Sequence, residues 1–158
     1  MRVGLGEDIH RIDPSRPLVL GGVTIPGAAG LAGHSDADVL LHAITDAVLG
    51  AAGLGDIGSH FPSSDDRWKD AGSAVFLREA VALAKKAGLR PENVDSTVRT
   101  EKPRLSTHIA AMRESIASLM EMEPAAVNVK AKTAEGLDAV GEGLAMSASA
   151  IVLLAPVG

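Results

Sequence analysis

The 158-residue sequence contains no cysteine. That excludes disulfides, thiol nucleophiles, cysteine-ligated zinc and iron–sulfur clusters, so any metal must be held by histidine and carboxylate. Tyrosine is absent too, and the only aromatics are Phe61, Phe76 and Trp68. The core must therefore be built from Ala, Val, Leu and Ile, and there is no platform of rings on which bases could stack. Long basic runs are missing and the formal net charge is −5, which argues against a nucleic-acid partner. No apolar stretch approaches the ~20 residues that span a bilayer. The opening MRVGLGEDIH lacks a signal-peptide core. The expectation is a cytoplasmic protein with no membrane partner.

What is present is 46% hydrophobic, a composition that folds rather than stays disordered. The length predicts a single domain over residues 1–158. Residues 2–6 read as a short strand entering a polar loop. Residues 17–26 (PLVLGGVTIP) read as a hairpin around Gly21-Gly22, followed by a Gly/Ala loop over 27–33. Ser35 then reads as the N-cap of a helix, with Asp38 completing a capping-box-like pattern. This helix carries Val39, His42, Ala43 and Asp46 and ends near residues 50–53. Residues 55–72 lack a period and read as a long loop of the kind that often serves function.

A second helix is predicted over 73–87, with Phe76, Leu77, Ala80, Leu83 and Ala84 on one face and Gly88 as its stop. Residues 93–100 alternate as a strand. A third helix spans 105–122, residues 126–132 alternate again, and 147–155 read as a buried final strand. The pattern predicts an α+β fold (α/β sandwich-like): one mainly four-stranded sheet with helices packed on one side, plus a small N-terminal hairpin.

Several polar groups are candidates for chemistry. Asp8 and His10 are two residues apart, so in an extended chain both point the same way. With His42 they make a three-ligand set for zinc that keeps one position open. Asp46, one turn after His42, could hold its imidazole from behind. The plain alternative is that Asp8 caps a turn and His42 is a hydrogen-bonded core histidine. His34 and Ser35 precede a helix N-terminus, where free N–H groups attract anions; simple capping by Ser35 explains them equally well.

Lys132, Thr133 and Glu135 end an alternating run. Lys and Thr suit phosphate oxygens, and Glu among phosphates suits Mg²⁺; a solvated Lys–Glu pair is the bland alternative. Residues 100–104 (TEKPR) are either an exposed turn or a loop that reads a base and meets phosphate. The Gly-rich run 53–58 matches neither a P-loop nor a dinucleotide fingerprint. Asp56 within it can accept from a polyol or merely close a turn.

Residues 33–65 (GHSDADVLLHAITDAVLGAAGLGDIGSHFPSSD) closely resemble the signature of the 2-C-methyl-D-erythritol 2,4-cyclodiphosphate synthase family. The opening GLGEDIHR and the runs NVDST (93–97) and NVKAKTAE (128–135) are similar to it as well, so the resemblance covers essentially the whole chain. It implies a homotrimer with the sheets facing the three-fold axis and active sites between subunits. It implies a lyase of the non-mevalonate route to isoprenoid precursors. The substrate would be 4-diphosphocytidyl-2-C-methyl-D-erythritol 2-phosphate, cyclised with release of CMP.

On this sequence the resemblance assigns zinc, or another divalent cation, to Asp8, His10 and His42. It makes His34 and Thr133 transition-state stabilisers and gives phosphate to His34 and Ser35. Asp8 and His10 would also meet substrate, and Asp56, Ile57 and Gly58 would meet its methylerythritol part. Phe61, Pro62, Ser63, Ser64 and Asp65 would form a flap. The cytidine diphosphate end would lie on Thr100, Glu101, Lys102, Pro103, Arg104, Leu105 and Ser106, and on Lys132, Thr133, Ala134 and Glu135. Glu135 would help hold a second cation, Mg²⁺ or Mn²⁺, between the phosphates. Two other readings share these residues: a zinc phosphohydrolase using water, and a trimeric binding protein without turnover.

The chain departs from the family pattern in three places. The flap reads F-P-S-S-D rather than F-P-D-T-D. Residues 136–143 read GLDAVGEG where the family often has G-F-T-G-R-G-E-G, and lack its Phe and Arg, the Arg being associated with isoprenoid diphosphates at the trimer axis. Glu7 stands where an apolar residue is also common.

Overall fold

The computed structural model describes residues 1–68 and 71–158. Five strands form its sheet: β1 (Arg2–Leu20), β2 (Val23–Leu31), β3 (Leu89–Arg99), β4 (Val127–Lys132) and β5 (Ala145–Pro156), in the order β2-β1-β5-β3-β4. Only β3 and β4 run parallel, as their connection through helix α4 (Ile109–Met120) requires. The expected four-stranded sheet and separate hairpin are joined, because β1 serves both. Its first half pairs with β5 and its second half with β2.

The polar loop expected after residue 6 is extended chain, because its backbone groups are taken up by β5 as far as Arg11 and then by β2. The hairpin turn falls at Gly21-Gly22, and β2 continues through most of the expected Gly/Ala loop.

Helices α1 (Val39–Ala52) and α3 (Ser73–Lys86) and helix α4 lie on one side of the sheet. The N-cap of α1 is Asp38, whose side chain accepts from the Leu41 N–H, and not Ser35. Ser35 caps nothing in α1; its hydroxyl accepts from the Ala37 N–H. Asp38 is fully buried and also accepts from the Gly21 and Gly22 N–H groups, at 3.0 and 2.7 Å. One carboxylate thus ties the hairpin turn to the start of α1. Burial pushes its pKa up to about 6, with the negative Asp36 adding to the rise and the three backbone donors opposing it.

The packing of α1 on β1 is unusually close. A Cβ at Gly4 would sit 2.0 Å from the Ala47 carbonyl oxygen, and one at Gly6 would sit 1.9 Å from that of Ala43. Only glycine lets strand and helix backbones meet in this way. The same strand face continues to Asp8 and His10, so α1 brings His42 down onto them.

The expected loop 55–72 contains a short helix α2 (Ile57–His60), capped by Asp56, and a 3₁₀ turn at Asp66–Trp68. These are too short to show a period in sequence. The part of that loop at residues 69–70 lies outside the described residues. A further short helix, α5 (Asp138–Gly141), precedes β5.

Candidate metal centre and active site

Asp8, His10 and His42 converge. Asp8 Oδ2 lies 2.8 Å from His10 Nε2 and 3.0 Å from His42 Nδ1, and the two nitrogens are 3.2 Å apart. Ligands ~2.0–2.1 Å from a tetrahedral zinc stand roughly 3.3 Å apart, so the triangle is close to the size of a metal face. The donor chemistry agrees. His10 Nδ1 is 2.7 Å from the Ala32 carbonyl oxygen, which only accepts, so Nδ1 carries the proton and Nε2 turns a lone pair inward. A lone pair facing a carboxylate oxygen at 2.8 Å needs a cation or a proton between them.

The electrostatics express the same need. Burial lowers the His10 pKa, but the hydrogen bond and charge of Asp8 more than reverse this, and it lies above the ordinary histidine value. Burial raises the Asp8 pKa, yet hydrogen bonds to His10 and His42 outweigh it and hold the carboxyl well below the usual range.

These three residues open on a cavity of about 400 Å³, also lined by His34, Ser35, Ile57, Gly58, Phe61, Ser63 and Asp65. His34 is exposed at its mouth. The loop that carries it is held by Arg16, whose guanidinium donates to the carbonyls of Gly33 and Ser35. Asp65 is engaged by Arg67, with a closest approach of 2.6 Å. Of the flap residues, Pro62 and Ser64 do not line the cavity.

Asp56 is absent from the cavity wall as well. It caps α2 and accepts from the Ser59 N–H and hydroxyl, at 2.8 and 2.6 Å. The hydroxyl bond holds its pKa below the ordinary carboxylate value.

Asp46 does not hold His42. Its carboxylate accepts from the Ile57 N–H at 2.7 Å and so anchors α2; burial keeps its pKa raised despite that bond. His42 Nε2 instead meets Ser73 Oγ at 2.8 Å and Ser35 Oγ at 3.2 Å.

Sequence reasoning also missed Trp68 and Phe76, which join Phe61 in the wall of the cavity. The three aromatics of the chain gather there: Phe61 and Phe76 stack at 4.7 Å, and Trp68 meets them edge-on at 5.1 and 5.8 Å. The indole Nε1 of Trp68 is buried and has no hydrogen-bond partner among the described residues, which leaves a donor a ligand can satisfy.

Lys132 and Thr133 lie elsewhere. With Thr100, Glu101, Pro103, Arg104, Leu105 and Ser106 they line a second cavity, of about 290 Å³. It sits at the carboxyl ends of the parallel strands β3 and β4, a common place for ligands in sheets of this kind. The two loops are tied together there: Glu101 accepts from the Ala134 N–H at 2.7 Å, and the Thr100 N–H donates to the Lys132 carbonyl at 2.9 Å. The Thr133 hydroxyl donates to Glu135 at 3.0 Å, and neither Lys102, Ala134 nor Glu135 lines this cavity. Ile9, Ser147, Arg99 and Lys132 stand in one row across four strands, so the two cavities are separated by roughly 14 Å at ~4.8 Å per strand.

The sequence profile of the YgbB family matches residues 1–155. A 2-C-methyl-D-erythritol 2,4-cyclodiphosphate synthase from Syntrophomonas wolfei is 55% identical over 154 residues, 98% of each chain. A solved 2C-methyl-D-erythritol-2,4-cyclodiphosphate synthase in its CDP-bound form superposes with a TM-score of 0.90 at 41% identity, over 98% of this chain and all of the other. The bifunctional IspDF of Campylobacter jejuni superposes with a TM-score of 0.93 at 40% identity; this chain covers 42% of it and 97% of itself is matched.

Proposed function

We infer from its membership of the YgbB family that this chain is a 2-C-methyl-D-erythritol 2,4-cyclodiphosphate synthase. It takes 4-diphosphocytidyl-2-C-methyl-D-erythritol 2-phosphate, joins the 2-phosphate to the β-phosphorus, and releases CMP in the non-mevalonate route. The observation that carries this reading is the Asp8–His10–His42 triangle opening on a cavity, in a chain matched end to end by synthases.

The bond that forms is between an oxygen of the 2-phosphate and the β-phosphorus. The bond that breaks joins that phosphorus to the oxygen bridging to the α-phosphate, and CMP leaves with the electron pair. Nucleophile and electrophile belong to one molecule, so the protein mainly folds the substrate and neutralises charge. Zinc held by Asp8, His10 and His42 would supply a Lewis acid for a diphosphate oxygen.

His34 and Ser35 hold phosphate at the mouth of the first cavity, and Ile57 and Gly58 meet the methylerythritol. The flap of Phe61, Pro62, Ser63, Ser64 and Asp65 excludes water. Thr133, Lys132 and the residues from Thr100 to Ser106 hold the cytidine diphosphate end. Glu135, with the substrate phosphates, provides oxygen ligands suited to Mg²⁺ or Mn²⁺. The activity is that of a phosphorus–oxygen lyase.

We propose that the working assembly is a homotrimer whose sites lie between subunits. Two observations support it. One chain holds the two groups of residues in separate cavities, so a neighbour's cavity can complete each site. The sheet face away from the helices exposes Val3, Leu5, Ile9 and Ile151, an apolar surface that favours burial against other copies.

Incubation with the substrate, zinc and Mg²⁺, followed by ³¹P NMR, tests the activity. CMP together with two coupled ring phosphorus signals is expected. CMP with an open-chain bisphosphate would make the protein a hydrolase, and binding without turnover would make it a binding protein.

A further inference from the structure

We propose that Asp36 and Ser73 are positioning residues for the metal site, acting through His42. The pair is separated by 37 residues in sequence and meets at the start of α3. The Ser73 hydroxyl, fully buried, donates to Asp36 Oδ1 in a short hydrogen bond. The Ser73 N–H also points at that carboxylate, at 3.1 Å from Oδ2. A carboxylate only accepts, so the single hydroxyl proton of Ser73 is committed to it. Ser73 Oγ can then only accept from its other close neighbour, His42 Nε2 at 2.8 Å. Nε2 must carry the imidazole proton, and Nδ1, 3.0 Å from Asp8 Oδ2, is left with its lone pair toward the centre of the triangle.

The chain Asp36 carboxylate, Ser73 hydroxyl, His42 imidazole thus fixes the ring orientation and tautomer that a metal ligand needs, and the negative end makes Nδ1 a better donor. Ser35 Oγ, 3.2 Å from Nε2, accepts from the Ala37 N–H and stands beside the chain without replacing it. A capping role for Asp36 at α3 is real but does not explain why the hydroxyl sits against the imidazole.

The proposal rests on the metal reading of Asp8, His10 and His42, and the test separates the two. Full-length zinc-loaded protein is titrated with a chromophoric chelator to obtain the zinc affinity. Asp36→Asn keeps the shape, but its amide can donate to Ser73 Oγ. The hydroxyl then turns toward His42 Nε2, and the imidazole proton is driven to Nδ1, where the metal should be. Asp36→Asn and Ser73→Ala should each weaken zinc binding ~10- to 100-fold. Turnover should return toward the parent value at saturating zinc, and Ser73→Thr, which retains the hydroxyl, should recover most of the affinity.

In ¹⁵N-labelled parent protein the His42 Nε2–H should exchange slowly with solvent. Folded Asp36→Asn and Ser73→Ala proteins with parental zinc affinity would overturn the proposal. So would a rapidly exchanging His42 Nε2–H in the parent, a result that needs no variant to fold. If His42→Ala itself left zinc binding unchanged, the metal assignment would fail instead.

Discussion

The substitution Gly6→Ala tests how the fold builds the site. The added Cβ would sit 1.9 Å from the Ala43 carbonyl oxygen and 2.6 Å from the Ala47 N. Both are backbone atoms of α1 and cannot rotate away. Relief to an ordinary contact requires β1 and α1 to part by at least about 1 Å. Overpacking of a core costs ~1–3 kcal/mol, and an obstacle made of backbone puts this substitution near ~3 kcal/mol.

His42 follows Leu41 directly before Ala43 on α1, so the same displacement carries its imidazole away from Asp8 and His10. A misplacement of ~1 Å can lower turnover ~10²-fold. Gly50→Ala, on the same helix, is the control. Its Cβ meets only the Leu5 carbonyl at 4.0 Å, and replacing a helical glycine by alanine adds up to ~1 kcal/mol. Urea unfolding at fixed protein concentration, with metal chelated, gives the stabilities; the zinc-supplemented reaction gives the rates. The prediction is opposite signs on the two sides of one contact: Gly6→Ala on β1 destabilises, and Gly50→Ala on α1 stabilises. Parental stability and turnover in Gly6→Ala would refute the close-packing argument.

Asp38 gives a pH prediction. Its folded pKa, about 6, lies above its ordinary value of 3.8, so folding takes up a proton between them, and its contribution to stability falls as pH rises from about 4 to 6. Asp38→Asn should lose ~1–3 kcal/mol by turning an amide donor at one of its three backbone donors. The parent-minus-variant stability difference should shrink as pH rises through that window; unfolding midpoints between pH 4 and 8 check both. Thr133→Val keeps the shape and removes the hydroxyl, and turnover measured at saturating substrate should drop ~10-fold or more. Leu5→Asp puts a charge on the open sheet face, and sedimentation should shift from three chains to one with activity lost.

Much of the scaffold was legible because its periods are long. Residues 94, 96, 98 and 100 alternate as the sequence predicts, with Val94, Ser96, Val98 and Thr100 all buried. The helices over 39–52 and 73–86 carry an apolar face and end at left-handed Gly53 and Gly88. What failed was decided by tertiary partners. Residues 7–16 are polar and contain Pro14, so they read as a loop, yet strand pairing on two sides draws them out. Ser35 looked like a cap because the cap motif is local, whereas Asp38 wins by also satisfying two hairpin N–H groups.

The Asp8–His10 pair was visible through the two-residue period of a strand. Its third member, His42, is brought to the pair by the close approach of α1 to Gly4 and Gly6, which no local spacing encodes. The sequence places the partner of His42 one helical turn away at Asp46; in the structure it is Ser73, on another helix. No spacing rule links residues 42 and 73. The gathering of Phe61, Trp68 and Phe76 around one cavity has no local signature either, although three aromatics in so poor a sequence were a signal that could have been used.

The central claim is that the phosphorus–oxygen bond is made from within the substrate. Running the reaction in H₂¹⁸O with zinc and Mg²⁺, and weighing both products by mass spectrometry, tests it directly. Cyclisation predicts a cyclic diphosphate and CMP, neither carrying solvent oxygen. One ¹⁸O in CMP, or in an open-chain bisphosphate, would show attack by water and contradict the account.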